Sequence, residues 1–316
     1  MTAPDATTTA DAGQQLALRT PGWGTLRVRG PEARTWLHGL LTCNVEGVTI
    51  EHGAWGLLLN KRGKIVCDLT IIADAEGLWL GSGSELQTLF ELLDSYLVME
   101  DVEIEVARGY AWLTLYGAGA LAQARKVSGI AVGAVAWSRG EGAAALVPEA
   151  EVSACLSQLT DELGVRVLDD AAWSALRVRS GLPEFGVDFG LDDNPHEAGL
   201  ERRTVDWSKG CYLGQEVVCM QDMRGKVKRR LARLRFDEIA QFSAGLTLAQ
   251  GGLSVGQRVL DPTGAEVGQV TSVAEPQAGA AAAIVRLKAP FFEPGSTVLV
   301  EDQRATVLEL LAETPS

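Results

Sequence analysis

The order of elements along the first half of the chain limits its fold more than any other feature. Residues 23–29 read as a strand that Gly30 ends, and Pro31 opens a helix. Ala33, Trp36, Leu37, Leu40 and Leu41 then fall at i, i+3, i+4, i+7 and i+8, which is one apolar helix face. Residues 54–60 and 64–73, around a turn at Gly63, read as a hairpin. Ser84 is placed to cap a second helix, with Leu86, Leu89, Phe90, Leu93 and Leu97 on its buried face. A similar order returns: a strand at 112–116, a break at Gly117, an Ala-rich helix, and strands near 132–137 and 143–147. A helix marked by Val152, Cys155, Leu156, Leu159 and Leu163 follows. A strand–helix–strand–strand–helix unit therefore occurs twice, by element order rather than residue identity.

Asp169 or Asp170 can cap a helix running to about Ser180, where Gly181 and Pro183 end it. From 181 to 231 Gly, Pro, Asp and Asn are dense and periodicity is poor. A long irregular stretch inside a compact protein is often functional. Beyond it, residues 231–236, 257–260, 267–273, 282–287, 297–300 and 305–310 read as six short strands, with Gly251-Gly252 between the first two. Without a strong helix among them they suggest a small antiparallel barrel. The expected class is α+β. A disordered tail at 1–20 leads into an α+β region at 21–230, in subdomains of about 21–107 and 108–230, and a C-terminal β-barrel at 231–316.

Hydrophobic residues make up 47% of the 316, enough for a sizeable core. The net charge of -13 gives no global attraction for nucleic acid or anionic membrane, so neither is expected as a partner. The five cysteines form no C-x-x-C pair, which argues against a disulfide framework or a zinc knuckle and fits a reducing cytoplasm. The Thr-, Ala- and Asp-rich start does not read as a secretory signal, and no run approaches 18 apolar residues. His38, His52 and His196 have no spacing that suggests a metal site, so no metal is expected.

Two stretches carry the chemistry. One is Leu176-Arg177-Val178-Arg179-Ser180-Gly181-Leu182-Pro183, followed by Asn194-Pro195-His196-Glu197-Ala198-Gly199-Leu200. The other is Lys209-Gly210-Cys211-Tyr212-Leu213-Gly214-Gln215-Glu216, followed by Arg229-Arg230-Leu231. Here the chain resembles the YgfZ branch of the folate-binding superfamily that also holds the glycine-cleavage T-protein. Gly39-Leu40-Leu41-Thr42 and Leu59-Asn60-Lys61-Arg62-Gly63-Lys64-Ile65 extend the likeness, as does Gly268-Gln269-Val270-Thr271-Ser272. It runs from about Trp23 to the C-terminus.

The resemblance implies a T-protein-like fold and a tetrahydrofolate pocket in the N-terminal part. A pterin offers a donor edge that a carboxylate can accept, its ring needs apolar or aromatic walls, and its glutamate tail needs basic donors. Asp68 aligns with the T-protein's catalytic aspartate. Asn60 and Glu197 lie in stretches matched to the family, although Glu197 also reads as a helix-start cap. Arg179 stands where the T-protein has a pterin-binding Glu, and a cation cannot accept the pterin's donors, so Glu184 or Glu197 is a candidate replacement. Arg229 matches the family motif in a basic run from Arg224 to Arg230 that could seat a folate tail or an anionic partner.

Cys211 is flanked by Lys209, and an ammonium nearby stabilises a thiolate. Gly210 and Gly214 permit close backbone approach, Gln215 and Glu216 can fix the loop, and Tyr212 belongs to the same string. A buried, inert thiol is the alternative for Cys211. Three functions follow. The first is a monomeric tetrahydrofolate-binding protein supporting assembly or repair of iron–sulfur enzymes, with client proteins or assembly factors as partners. The second is a folate-dependent aminomethyl or methyl transferase using Asp68. The third is a non-enzymatic folate-sensing module.

Overall fold

A computed structural model describes residues 16–20, 22–127, 129–137, 141–236, 253–277 and 280–310. The chain divides into two compact units: Asp11–Asp169 with Arg202–Val218, and Asp170–Glu201 with Cys219–Ser316. The stretches 170–201 and 219–230 thus group with the barrel, whereas the sequence suggested a boundary at 231.

The first unit holds two five-stranded sheets. In one, β2 (Gly24–Arg29), β3 (Ala54–Leu59), β4 (Ile65–Ala73), β5 (Leu78–Ser82) and β6 (Glu103–Val106) lie in the order β3-β4-β5-β2-β6. α1 (Ala33–Leu40) and α2 (Leu86–Asp94) cover one face, burying Trp36, Leu37, Leu89 and Leu93 against Leu26, Val28, Cys67, Leu69, Ile71 and Leu80. Glu85, not Ser84, caps α2, accepting from the amides of Gln87 and Thr88.

The other sheet has the order β10-β1-β7-β9-β8, built from β1 (Leu16–Arg19), β7 (Tyr110–Tyr116), β8 (Ala131–Ala134), β9 (Gly142–Pro148) and β10 (Arg166–Val167). α3 (Ala120–Ala124) and α4 (Val152–Asp161) pack on it. The expected repeat is present with additions: β5 and β6 extend the first unit of the repeat. β1, which falls inside the stretch expected as a tail, pairs antiparallel with β7 and parallel with β10. Its Leu-Ala-Leu run supplies the apolar content a strand needs. Residues 1–15 lie outside the described ones, as do Gly251 and Gly252.

Indole N–H groups pin the two sheets together. Trp112 Nε1 donates to Thr25 Oγ1 at 3.0 Å, and Trp137 Nε1 to Thr70 Oγ1 at 2.9 Å. Both threonines are buried, so each hydroxyl has the partner its burial demands.

The second unit is built on a closed six-stranded barrel: β11 (Arg229–Phe236), β12 (Arg258–Leu260), β13 (Glu266–Gln277), β14 (Ala280–Lys288), β15 (Thr297–Val300) and β16 (Gln303–Leu308). Its interior is filled by Leu234, Val259, Val270, Val285, Val298 and Val307. α5 (Asp170–Ser180) packs against β13 and β14. The irregular stretch contains two helices the sequence did not suggest, α6 (Glu201–Thr204) and α7 (Gln215–Arg224). In α7 the residue buried is Val218, so no apolar stripe announces it.

Candidate functional site

The motif 209–216 closes the C-terminal end of α1. A helix leaves its last four carbonyls without intrahelical donors. Here the donors come from far along the chain. Lys209 Nζ donates to the carbonyl oxygens of His38, Leu41 and Cys43 at 2.6, 2.5 and 2.9 Å. The Leu213 amide donates to Gly39 at 3.1 Å, and the Asp206 amide to Thr42 at 3.0 Å. The 39–42 stretch and the 209–216 motif are therefore two halves of one joint. Burial lowers the Lys209 pKa, with Cys43, Asp206 and Glu46 acting in the other direction. Hydrogen bonds from Ser208 hold the Asp206 carboxyl below the usual range.

The same loop locks onto the β3–β4 hairpin. Gly214 has φ +81°, and a Cβ there would fall 2.6 Å from the Asn60 carbonyl oxygen. Gly63, at φ +68°, would carry a Cβ 2.8 Å from that of Val217. Both positions require glycine for conformation and for space. Asn60 shapes the turn itself, its Oδ1 accepting from the amides of Arg62 and Lys64 at 2.8 and 3.2 Å. Thr42 completes the joint: its hydroxyl donates to Thr204 O at 2.5 Å and accepts from the Leu57 amide at 2.9 Å.

Cys211 is exposed, with open space around Gly210 beside it. Tyr212 is buried, its ring centroid 5.3 Å from Lys209 Nζ. The three donors of the Lys209 ammonium go to the carbonyls of His38, Leu41 and Cys43, not to the Cys211 thiol. Lys209 also acts on a buried thiol, that of Cys43. Burial pushes its pKa up to about 12, with Lys209 pulling the other way.

Asp68 lies on β4, half-buried, on the sheet face opposite the Cys67, Leu69 and Ile71 side chains that pack under the helices. Trp55 Nε1 donates to Asp68 Oδ2 at 3.1 Å, and Trp55 is itself buried. Further along this face Arg27 Nη2 and Trp79 Nε1 both bond Asp74, at 2.6 and 2.9 Å. Burial opposes that carboxylate, but the Arg27 and Trp79 hydrogen bonds outweigh it and leave its pKa lowered.

The remaining candidates lie in the second unit. Glu197 and Asn194 form a reciprocal capping box: Glu197 N donates to Asn194 Oδ1 at 2.9 Å, and Asn194 N to Glu197 Oε2 at 3.1 Å. Arg229 bridges Glu197 and Asp193 at 3.3 and 3.2 Å. Glu184 pairs with buried Arg177 at 2.9 Å. The Arg179 carbonyl accepts from Arg233. Arg230 pairs with Glu201 at 2.8 Å. The two carboxylates suggested as pterin acceptors are thus engaged within the barrel unit, and the basic run ends in ion pairs. Among the described residues no group of three His, Cys, Asp or Glu could hold a metal, and no helix is long and apolar enough to cross a membrane.

The chain is 23% identical over 222 residues to the "tRNA-modifying protein YgfZ" of Colwellia psychrerythraea, covering 66% of this chain and 68% of that protein. It is 24% identical over 334 residues to an aminomethyltransferase of Saccharopolyspora erythraea, covering 95% of this chain and 88% of that protein. The aminomethyltransferase T of the glycine cleavage system from Bartonella henselae superposes with a TM-score of 0.75 at 19% identity, over 95% of this chain and 87% of that one. The chain is thus similar to proteins of the YgfZ/T-protein superfamily and has the fold of the T-protein. No family model matches it.

Within this T-protein-like fold, the residues sequence reasoning overlooked are Trp55 and Thr42. Thr42 was visible only as part of a string, and its partners lie 15 and 162 residues away. Trp55 carried a usable signal. Thirteen residues from Asp68 across a tight hairpin, it falls on the same sheet face, diagonal to the carboxylate.

Proposed function

We propose that this protein binds tetrahydrofolate and supports assembly or repair of iron–sulfur enzymes through its Cys211 loop. The observation that carries the reading is an exposed cysteine on a loop immobilised from both sides, by the end of α1 and by the β3–β4 hairpin. A thiol that only packed a core would not be presented in this way.

The residues of the first unit suit a folate. Asp68 supplies a carboxylate acceptor for the pterin's donor edge, and Trp55 orients it while offering an aromatic edge. Glu184 and Glu197 are assigned structural roles instead, because Arg177 and Arg229 already neutralise them. The partners in this reading are iron–sulfur client proteins or assembly factors in the cytoplasm. The YgfZ relatives carry the name of tRNA-modifying proteins.

A second reading, a folate-dependent aminomethyl or methyl transferase, draws on the aminomethyltransferase relative and on the orientation of Asp68. Two experiments separate them. Cys211→Ala should keep the fold and folate affinity but lose support of iron–sulfur enzyme activity in cells lacking the natural gene. Full complementation by that variant would refute the role given to Cys211. Incubation with tetrahydrofolate and an aminomethyl or methyl donor should give no modified folate, and turnover there would favour the transferase.

A further inference from the structure

The carbonyls of His38, Gly39, Leu41, Thr42 and Cys43 all accept hydrogen bonds from the segment Asp206–Leu213. Three of those five bonds come from one ammonium. A helix C-terminus carries partial negative charge, so a cation is favoured there. Lys209 brings the right valence, three donors for three oxygens, and it is half-buried, so water does not substitute freely. Its neighbours along the chain are fixed by separate contacts: Ser208 by Asp206, Leu213 by Gly39, and Gly214 by Asn60. Between them stand Gly210 and Cys211, which are exposed.

From this we infer that Lys209 is the positioning residue of the Cys211 loop, an ammonium clasp that holds the loop on α1 and takes no part in activating the thiol. The inference rests on the reading that Cys211 is the acting group, but its geometry and its test do not depend on folate. It assigns the lysine of the motif to the same joint as Gly214. The cysteine is left exposed beside it.

The test is amide hydrogen exchange on the full chain, read at Leu213 and Asp206, whose N–H groups lie in the joint, and at Cys67 and Leu69 on β4 as internal controls. Lys209→Ala should raise exchange at Leu213 and Asp206 at least tenfold and leave the β4 amides within twofold. Truncation to alanine removes the equivalent of propylammonium, so added propylammonium should restore protection. Tetramethylammonium, which has no N–H donor, should not. Lys209→Met, which fills the space, should loosen the loop without responding to propylammonium. In a Cys219→Ser background, the pH profile of Cys211 alkylation should keep its midpoint in Lys209→Met. Unchanged exchange at Leu213, a rise shared equally by Cys67 and Leu69, or an upward shift of the alkylation profile would each overturn the clasp. Failure of Cys211→Ala to lose function in cells would refute the proposed function and leave the exchange result standing.

Discussion

Gly210 and Gly214 lie in the same eight-residue string, yet the structure gives them opposite forecasts. Alanine at 214 would hold a left-handed φ of +81°, which costs an L-residue about 1–2 kcal/mol. Its Cβ would also press to 2.6 Å from the Asn60 carbonyl, a backbone atom that cannot rotate away. Overpacking of that kind costs about 1–3 kcal/mol. The smaller unfolded-state entropy of alanine returns about 0.4–1 kcal/mol. The net destabilisation is about 1–5 kcal/mol, centred near 3 kcal/mol. At position 210 nothing lies within 4 Å of the added methyl, and the change should stay within about 0.5 kcal/mol. Urea unfolding followed by tryptophan fluorescence reads this well, since every tryptophan but Trp173 belongs to the first unit. With a central loss of about 3 kcal/mol and a slope of about 2 kcal/mol/M, Gly214→Ala should lower the midpoint by about 1.5 M while Gly210→Ala leaves it in place. Equal effects at the two glycines, or a neutral Gly214→Ala, would refute the docking of the loop on the hairpin.

Three further outcomes follow from the same contacts. Trp55→Phe removes a hydrogen bond to a charged acceptor, worth about 1.5–3 kcal/mol, so tetrahydrofolate affinity by calorimetry should fall about tenfold or more; no change would remove Trp55 from the site. Asp188 is buried and accepts from Arg177, Ser272, Thr271 and the Glu184 amide, so Asp188→Ala should destabilise the barrel unit by about 3–5 kcal/mol, seen as lost exchange protection in β13 and β14. The Asp74 carboxyl has a lowered pKa, so its stabilisation is full above the unfolded value of about 3.9 and fades as pH falls through the folded one. An Asp74→Asn variant should therefore be less stable at neutral pH and show a shallower acid limb in thermal melts; parallel limbs would contradict this.

The elements with a clear period were legible in the sequence. The α1 face, the β3–β4 hairpin and the six barrel strands needed only apolar spacing and turn residues. β5 was not, because Leu78–Ser82 is buried on both faces and shows no alternation. β1 and β10 are short and owe their existence to each other and to β7. At the site, Glu197 read as a helix-start cap, and its carboxylate accepts from the Asn194 amide. The role of Lys209 was illegible because its acceptors are backbone carbonyls 166–171 residues away, and sequence neighbours drew attention to Cys211 instead. Gly63 and Gly214 each looked like an isolated turn glycine until the fold brought them together.

The most direct test of the functional account is a calorimetric titration of tetrahydrofolate into the wild-type protein and into Asp68→Ala. The account predicts saturable binding of one folate per chain in the wild type and at least tenfold weaker binding in the variant. Absence of saturable binding to the wild type, or equal affinity in the two proteins, would contradict it.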